Sequence, residues 1–207
     1  MKNPDRLLLE NSDNNHGPVG ITLADYARQL GVHHSDAMAE WLINNGIQST
    51  VQMAPFDLDE EMIVRLIKDP YSVGNINDAP AHGQMLCGAG ENLELITRYW
   101  RERGAITLEE AIHSMTGKLA RHFNLKDRGE LREGMRADIT VFHLDEITTR
   151  QKKKVYDVPD GDGGFLWRWT RDAAPMRLTL VNGVPTFENG AFTEALPGEM
   201  LRPEACA

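Results

Sequence analysis

A chain of 207 residues can bury a sizeable core in one or two domains, but a complete (β/α)8 barrel takes about 250 residues, so this chain cannot hold one plus a second domain. Its 41% hydrophobic and 26% charged residues are ordinary for a globular protein, and its net charge of -9 argues against nucleic acid or an anionic membrane as main partner, because both require a basic surface. The two cysteines, Cys87 and Cys206, show neither a disulfide framework nor a metal-binding spacing. Leu7-Leu8-Leu9 is too short for a signal-peptide core, and no apolar run approaches the ~18 residues of a membrane span, so the expectation is a soluble, cytoplasmic protein.

Arg6 to Glu10 reads as a short buried strand that ends in the breaker cluster Asn11 to Asn15. Thr22 to Leu30 places Leu23, Tyr26, Ala27 and Leu30 at helical spacing, with Gly31 as a stop. Ser35 is the expected N-cap of a helix through Asn44 with Met38, Trp41 and Leu42 on one face, ended by Gly46. A strand is expected at Thr50 to Ala54. Asp57 or Asp59 should then cap a helix that carries Met62, Ile63, Leu66 and Ile67 inside, and Asp69-Pro70 stops it. Tyr71 to Ile76 reads as another strand, running into the turn Asn77-Asp78. The order helix, strand, helix, strand is that of an α/β unit with parallel strands, whose functional groups sit where strands end. Asp78 holds that position.

Glu91 to Arg103 predicts a helix with Leu93, Ile96, Thr97 and Trp100 inward, and Thr107 with Glu110 fits a capping box for a helix through Met115. A short helix is expected over Lys118 to Phe123. From Asp127 the pattern becomes β-like: a turn and strand around Ala137 to Phe142, then mostly loop over 145–175, then an alternating strand from Met176 to Val181. Asn182-Gly183 is the strongest hairpin signal, and Asn189-Gly190 is a second. The basic run Arg150 to Lys154, followed by Asp157, Asp160 and Asp162, reads as a solvated loop.

Asn77-Asp78-Ala79-Pro80-Ala81-His82 resembles the Ser-Asp-Gly-Gly-Ala-His turn that ends the last barrel strand in the N-acyl-D-amino-acid deacylase (D-aminoacylase-like) branch of the amidohydrolases. Further pieces in matching order resemble the same family: Tyr99 to Gly104, Leu108 to Ala111 with Met115-Thr116, Asp127-Arg128-Gly129-Glu130-Leu131 with Gly134 and Ala137-Asp138, then Val181 to Val184 and Pro197-Gly198 with Arg202. Asn77 and Pro80 depart from that turn; Pro removes an N–H and restricts φ.

The resemblance implies the last strands and helices of an incomplete (β/α)8, TIM-like barrel over 1–127, followed by a small β-sandwich portion over 128–207. It implies a zinc-dependent hydrolase of amide bonds in N-acyl amino acids. Asp78 would be the catalytic proton acceptor and a metal ligand, and His82 would contact substrate. In the family this turn follows the metal-binding histidines, yet here it stands at position 78 of 207 and no His-x-His occurs anywhere. The expectation is therefore a C-terminal portion without its metal shell, which associates with itself or with an N-terminal partner chain carrying the histidines. The alternative is a non-catalytic subunit or interaction module built from the same remnant.

Plainer roles compete for the remaining candidates. Asn-Asp pairs also favour turns for local reasons. His16 lies in a polar loop, His33 and His34 are adjacent and expected to diverge, and His113 and His122 suit a solvated helix face. Cys87 reads as a small buried or loop residue. Phe165, Trp167 and Trp169 are expected to seal the β-module rather than line a pocket mouth.

Overall fold

The computed structural model describes residues 3–53, 59–73, 84 and 90–202, and the chain divides into two units, Met1–Asp59 and Glu60–Ala207. Helices and strands are mixed, as expected, and every strand pairing among the described residues is antiparallel.

The first unit contains β1 (Leu7–Asn11), α1 (Leu23–Leu30), α2 (His34–Asn45) and β2 (Thr50–Met53). Thr22 Oγ1 accepts the Asp25 N–H at 3.0 Å to open α1, and Gly31 closes it at φ 68. The cap of α2 differs from expectation. His33, not Ser35, holds the extended N-cap conformation, and its Nδ1 accepts the Ser35 N–H at 3.3 Å. The inward stripe is Ala37, Trp41 and Asn45, four residues apart, while Leu42 is exposed. These side chains close a core with Leu9, Leu23, Tyr26 and Ala27. Asn45 is satisfied inside it: Ser12 Oγ donates to its Oδ1, and its Nδ2 donates to the Trp41 carbonyl at 2.8 Å.

Thr50–Met53 pairs antiparallel with β1, which corrects the expectation of a parallel unit around this strand. One helix between two strands returns the chain to its starting end and makes them parallel. Here two helices intervene and add one more reversal.

In the second unit α3 (Glu60–Lys68) presents Ile63, Val64 and Ile67 to the core, whereas Met62 and Leu66, expected inside, are exposed. Asp69 ends the helix by accepting the N–H groups of Tyr71 at 2.8 Å and Ser72 at 3.1 Å. Tyr71 therefore lies in a turn and is 90% exposed, not in the expected strand; the rest of that stretch from 74 on falls outside the described residues.

The helix expected at Glu91 to Arg103 is a short 3-10 turn, Glu91–Leu93, followed by a π-helix, Leu95–Glu102. The wider winding buries Leu95, Ile96, Thr97 and Tyr99, and the Arg103 N–H reaches back to the Arg98 carbonyl at 2.9 Å. α4 (Leu108–Met115) begins with the expected capping box: Glu110 N–H on Thr107 Oγ1 at 3.1 Å, Thr107 N–H on Glu110 Oε2 at 2.8 Å. α5 (Gly117–His122) follows.

Beyond it come β3 (Ile139–Phe142), β4 (Lys152–Pro159), β5 (Phe165–Arg171), β6 (Met176–Val181), β7 (Val184–Glu188) and β8 (Ala191–Phe192). They form a four-stranded sheet ordered β3-β6-β7-β8 and a separate β4-β5 hairpin. Asn182 and Gly183 take φ 51 and 78, and Asn189 and Gly190 take φ 52 and 87, so both predicted Asn-Gly turns are present with positive φ at each central residue. The β4-β5 hairpin replaces the expected loop. Its turn is built by Asp160 Oδ1, which accepts the N–H groups of Asp162 and Gly164, each at 2.9 Å. The basic run is part of it: Lys154 lies 4.4 Å from the Trp167 ring centre and Lys152 4.9 Å from that of Trp169.

Candidate functional site

Asp78 and His82, with Asn77, Pro80 and Cys87, lie outside the described residues, as does Cys206. The structure does describe what anchors the chain on both sides of that stretch. Ile63, Val64 and Ile67 of α3 and Leu95, Ile96 and Tyr99 of the π-helix belong to one hydrophobic core, closed by Ile106, Ala111 and Ile147. The two flanks of the Asp78 segment are thus held by the same apolar cluster.

Polar ties reinforce it. Lys118 of α5 is buried, and its Nζ donates to the Ile67 carbonyl in the last turn of α3 at 2.8 Å. A cation at a helix C-terminus complements the exposed carbonyls there. Glu60 at the other end of α3 bonds Arg98, and Arg103 approaches it at 3.2 Å. Burial first, and then the Glu60 charge, raise the Tyr99 phenol above its ordinary value.

Histidine geometry follows the plainer readings. His16, His113 and His122 are exposed. His33 and His34 do not diverge as expected: their ring centres are 3.8 Å apart, and His33 Nδ1 is spent on the α2 cap. No group of three or more His, Cys, Asp or Glu side chains that could hold a metal ion occurs among the described residues. Trp167 and Trp169 are nearly buried and meet edge-to-face at 5.9 Å, whereas Phe165 is exposed.

Four pieces of the family-like sequence pattern meet in one polar knot. Arg128 pairs with Asp127 at 3.0 Å and with Asp138 at 2.6 Å. Asp138 Oδ1 in turn accepts the Asn182 N–H at 2.8 Å. Arg136 reaches Asp127 at 3.2 Å and Asn182 Oδ1 at 2.8 Å, and Asn182 Nδ2 donates to the Pro197 carbonyl at 2.8 Å. The hydrogen bond from Arg128, more than its charge, holds the Asp127 carboxyl below the usual carboxylate range. Gly129 sits at φ +87 against Ala120, where a side chain's Cβ would come within 2.6 Å of the Ala120 Cβ. These residues close the β-module onto α5; their work is scaffolding.

Sequence reasoning missed Lys118, which looked like one more charged residue on a short helix. A cation one position after Gly117 and two before Ala120, both small enough for close packing, is the only signal it left.

The model of the Amidohydrolase family matches residues 29–187. The chain is 32% identical over 154 residues to N-acyl-D-glutamate deacylase of Alcaligenes xylosoxydans xylosoxydans, and 32% identical over 150 residues to D-aminoacylase of the same organism. These alignments cover 72% and 70% of this chain but 28% of each relative. Among solved structures, N-acyl-D-glutamate deacylase from Bordetella bronchiseptica, complexed with zinc and a phosphonate inhibitor that mimics the tetrahedral intermediate, is 27% identical over 90% of this chain and 35% of its own length, with a TM-score of 0.48. The chain belongs to the amidohydrolase family, in its D-aminoacylase-like branch. It spans under a third of the length of the curated relatives it matches.

No helix among the described residues is long and apolar enough to cross a membrane.

Proposed function

We propose that these residues are the C-terminal portion of a metal-dependent hydrolase that removes the acyl group from N-acyl-D-amino acids, with Asp78 as its proton-transfer residue. The family match over 29–187, which brackets the Asn77–His82 turn, carries this reading. In it, residues 1–127 derive from the barrel and 128–207 from the β-module, and the setting is a reducing cytoplasm, consistent with only two cysteines, far apart in sequence.

Asp78 accepts a proton from the attacking water and delivers it to the departing amine, so that the amide C–N bond breaks with a neutral leaving group. His82 orients the substrate beside it. A divalent metal such as zinc, when bound, would supply a water of lowered pKa. The described residues do not fit a metal shell, since none of them cluster as ligands, so its ligands come from a partner chain or from sequence outside these residues.

The test is hydrolysis of a panel of N-acyl-D-amino acids by the purified chain, alone and co-expressed with a histidine-bearing upstream half of a D-aminoacylase-like enzyme, each with and without zinc. We expect turnover only in the complex with zinc, and a loss of roughly 10²–10⁴-fold in Asp78→Asn while the complex still assembles. Full activity in that variant would remove Asp78 from the reaction.

A further inference from the structure

Four cations line a cleft that the proposed hydrolysis does not use. Arg121, Lys126, Arg128 and Arg132 line it against a single lining carboxylate, Glu130, and the cleft encloses about 190 Å³. Gly117, Ala120, Leu125 and Met135 also line it. The chain as a whole carries a net charge of -9, and of these cations Arg128 is offset by Asp127 and Asp138.

We propose that this cleft binds a small oxyanion, a carboxylate or a phosphate group. Arg128 is already committed to Asp127 and Asp138 and serves as a fixed part of the wall. Arg132 is only loosely engaged: its Nη2 is 3.8 Å from Glu130 Oε2, and both side chains are about half exposed or more. Such an exposed pair is weak and yields readily to a better partner. Arg121 is exposed and pairs with no carboxylate among the described residues. Guanidinium groups present two parallel donors that match the two oxygens of a carboxylate or phosphate.

The C-terminus of α5 also faces this region, and its negative end works against an anion. That opposition is small here. The helix has six residues, and its last carbonyls are already taken: Leu125 N–H bonds the Ala120 carbonyl at 2.8 Å, and Asn124 N–H bonds that of Arg121 at 3.1 Å. A dipole worth about half a charge is outweighed by the guanidinium groups of Arg121 and Arg132. Cation–dipole attraction alone accounts for Arg121, which lies in the last turn; it does not account for Arg132, which arrives from a separate turn eleven residues on.

The experiment is an NMR titration of the uniformly labelled chain at low ionic strength, with inorganic phosphate in one arm and acetate in the other. We expect saturable shifts confined to residues 117–135. The half-saturation concentration should rise at least tenfold in Arg121→Gln/Arg132→Gln and stay unchanged in Arg168→Gln, whose partner Asp157 lies in the β4-β5 hairpin. Saturation with phosphate alone identifies a phosphate-bearing ligand, and saturation with acetate alone a carboxylate. Added sodium chloride should weaken either. Linear, non-saturating shifts in both arms, or equal half-saturation in the folded double variant, would overturn the site. The exposed positions of both arginines keep the double variant foldable.

Discussion

In the first unit Leu9, Leu23 and Trp41 are fully buried, whereas in the four-stranded sheet β3-β6-β7-β8 no side chain reaches the buried class. The first region closes around apolar volume with one satisfied amide, Asn45, inside it. The second is held by its backbone ladder, by two Asn-Gly turns and by the knot of Asp127, Arg128, Arg136, Asp138 and Asn182. The contrast teaches where each region is fragile. Removing side-chain volume should damage the first, and disturbing backbone conformation or charge should damage the second.

Trp41→Ala is the largest break expected. The indole is fully buried, touches the core of Leu9 and Leu23, and donates from Nε1 to the Pro18 carbonyl at 3.0 Å. Deleting a buried Trp costs about 3–5 kcal/mol. Hydrogen exchange should show protection lost across residues 7–53 while the amides of β6 and β7 stay protected. Loss of protection in both regions together would mean that they unfold as one cooperative body.

Gly129→Ala tests the second region through its backbone. The residue sits at φ +87, and its new Cβ would press on Ala120. The left-handed conformation costs a side chain roughly 1–2 kcal/mol and overpacking adds about 1–3 kcal/mol. Urea denaturation should show a loss of about 3 kcal/mol, although only one methyl group is added. A loss under about 0.5 kcal/mol would show that the junction relaxes freely. Gly134→Ala, also at positive φ but with open space around it, should show the conformational cost alone.

The same division explains what the sequence disclosed. Signals confined to a few neighbouring residues were legible: Thr22 and Gly31 around α1, the Thr107–Glu110 box, and both Asn-Gly turns stand where their chemistry puts them. Features set by distant partners were not. The antiparallel pairing of Leu7–Asn11 with Thr50–Met53 depends on how two helices return the chain. The π-winding of Leu95–Glu102 answers to a core drawn from α3, α4 and Ile147. The β4-β5 hairpin was hidden by Pro159 and three glycines, although Val155, Tyr156, Trp167 and Trp169 are good strand residues. The resemblance points to Asp78, which lies outside the described residues; the anchoring of its flanks by Ile67 and Leu95 was not legible, because apolar spacing shows that a residue is inward and not which partner it meets.

Thr107→Ala is a smaller, local break. It removes one hydrogen bond of the capping box and should cost about 1 kcal/mol, restored by Thr107→Ser.

The smallest expected effect is the response to acid. Arg128 lowers the Asp127 carboxyl chiefly by its hydrogen bond, and Arg168 does the same to Asp157 in the β4-β5 hairpin through bonds at 2.7 Å to both oxygens. A carboxyl whose folded value lies below its unfolded one releases its proton more readily in the folded state. Its contribution is therefore complete above the unfolded value, near pH 3.9, and is lost as pH falls through the lower folded value. Thermal midpoints should drop as pH falls below about 4, and Asp127→Asn should flatten that drop more than Asp157→Asn, because Asp127 joins two arginines of the knot and Asp157 joins one on an exposed hairpin. Both carboxylates face solvent, so salt should shrink the difference. If Asp157→Asn flattened the curve more, the acid-sensitive element would be the hairpin rather than the junction to the four-stranded sheet.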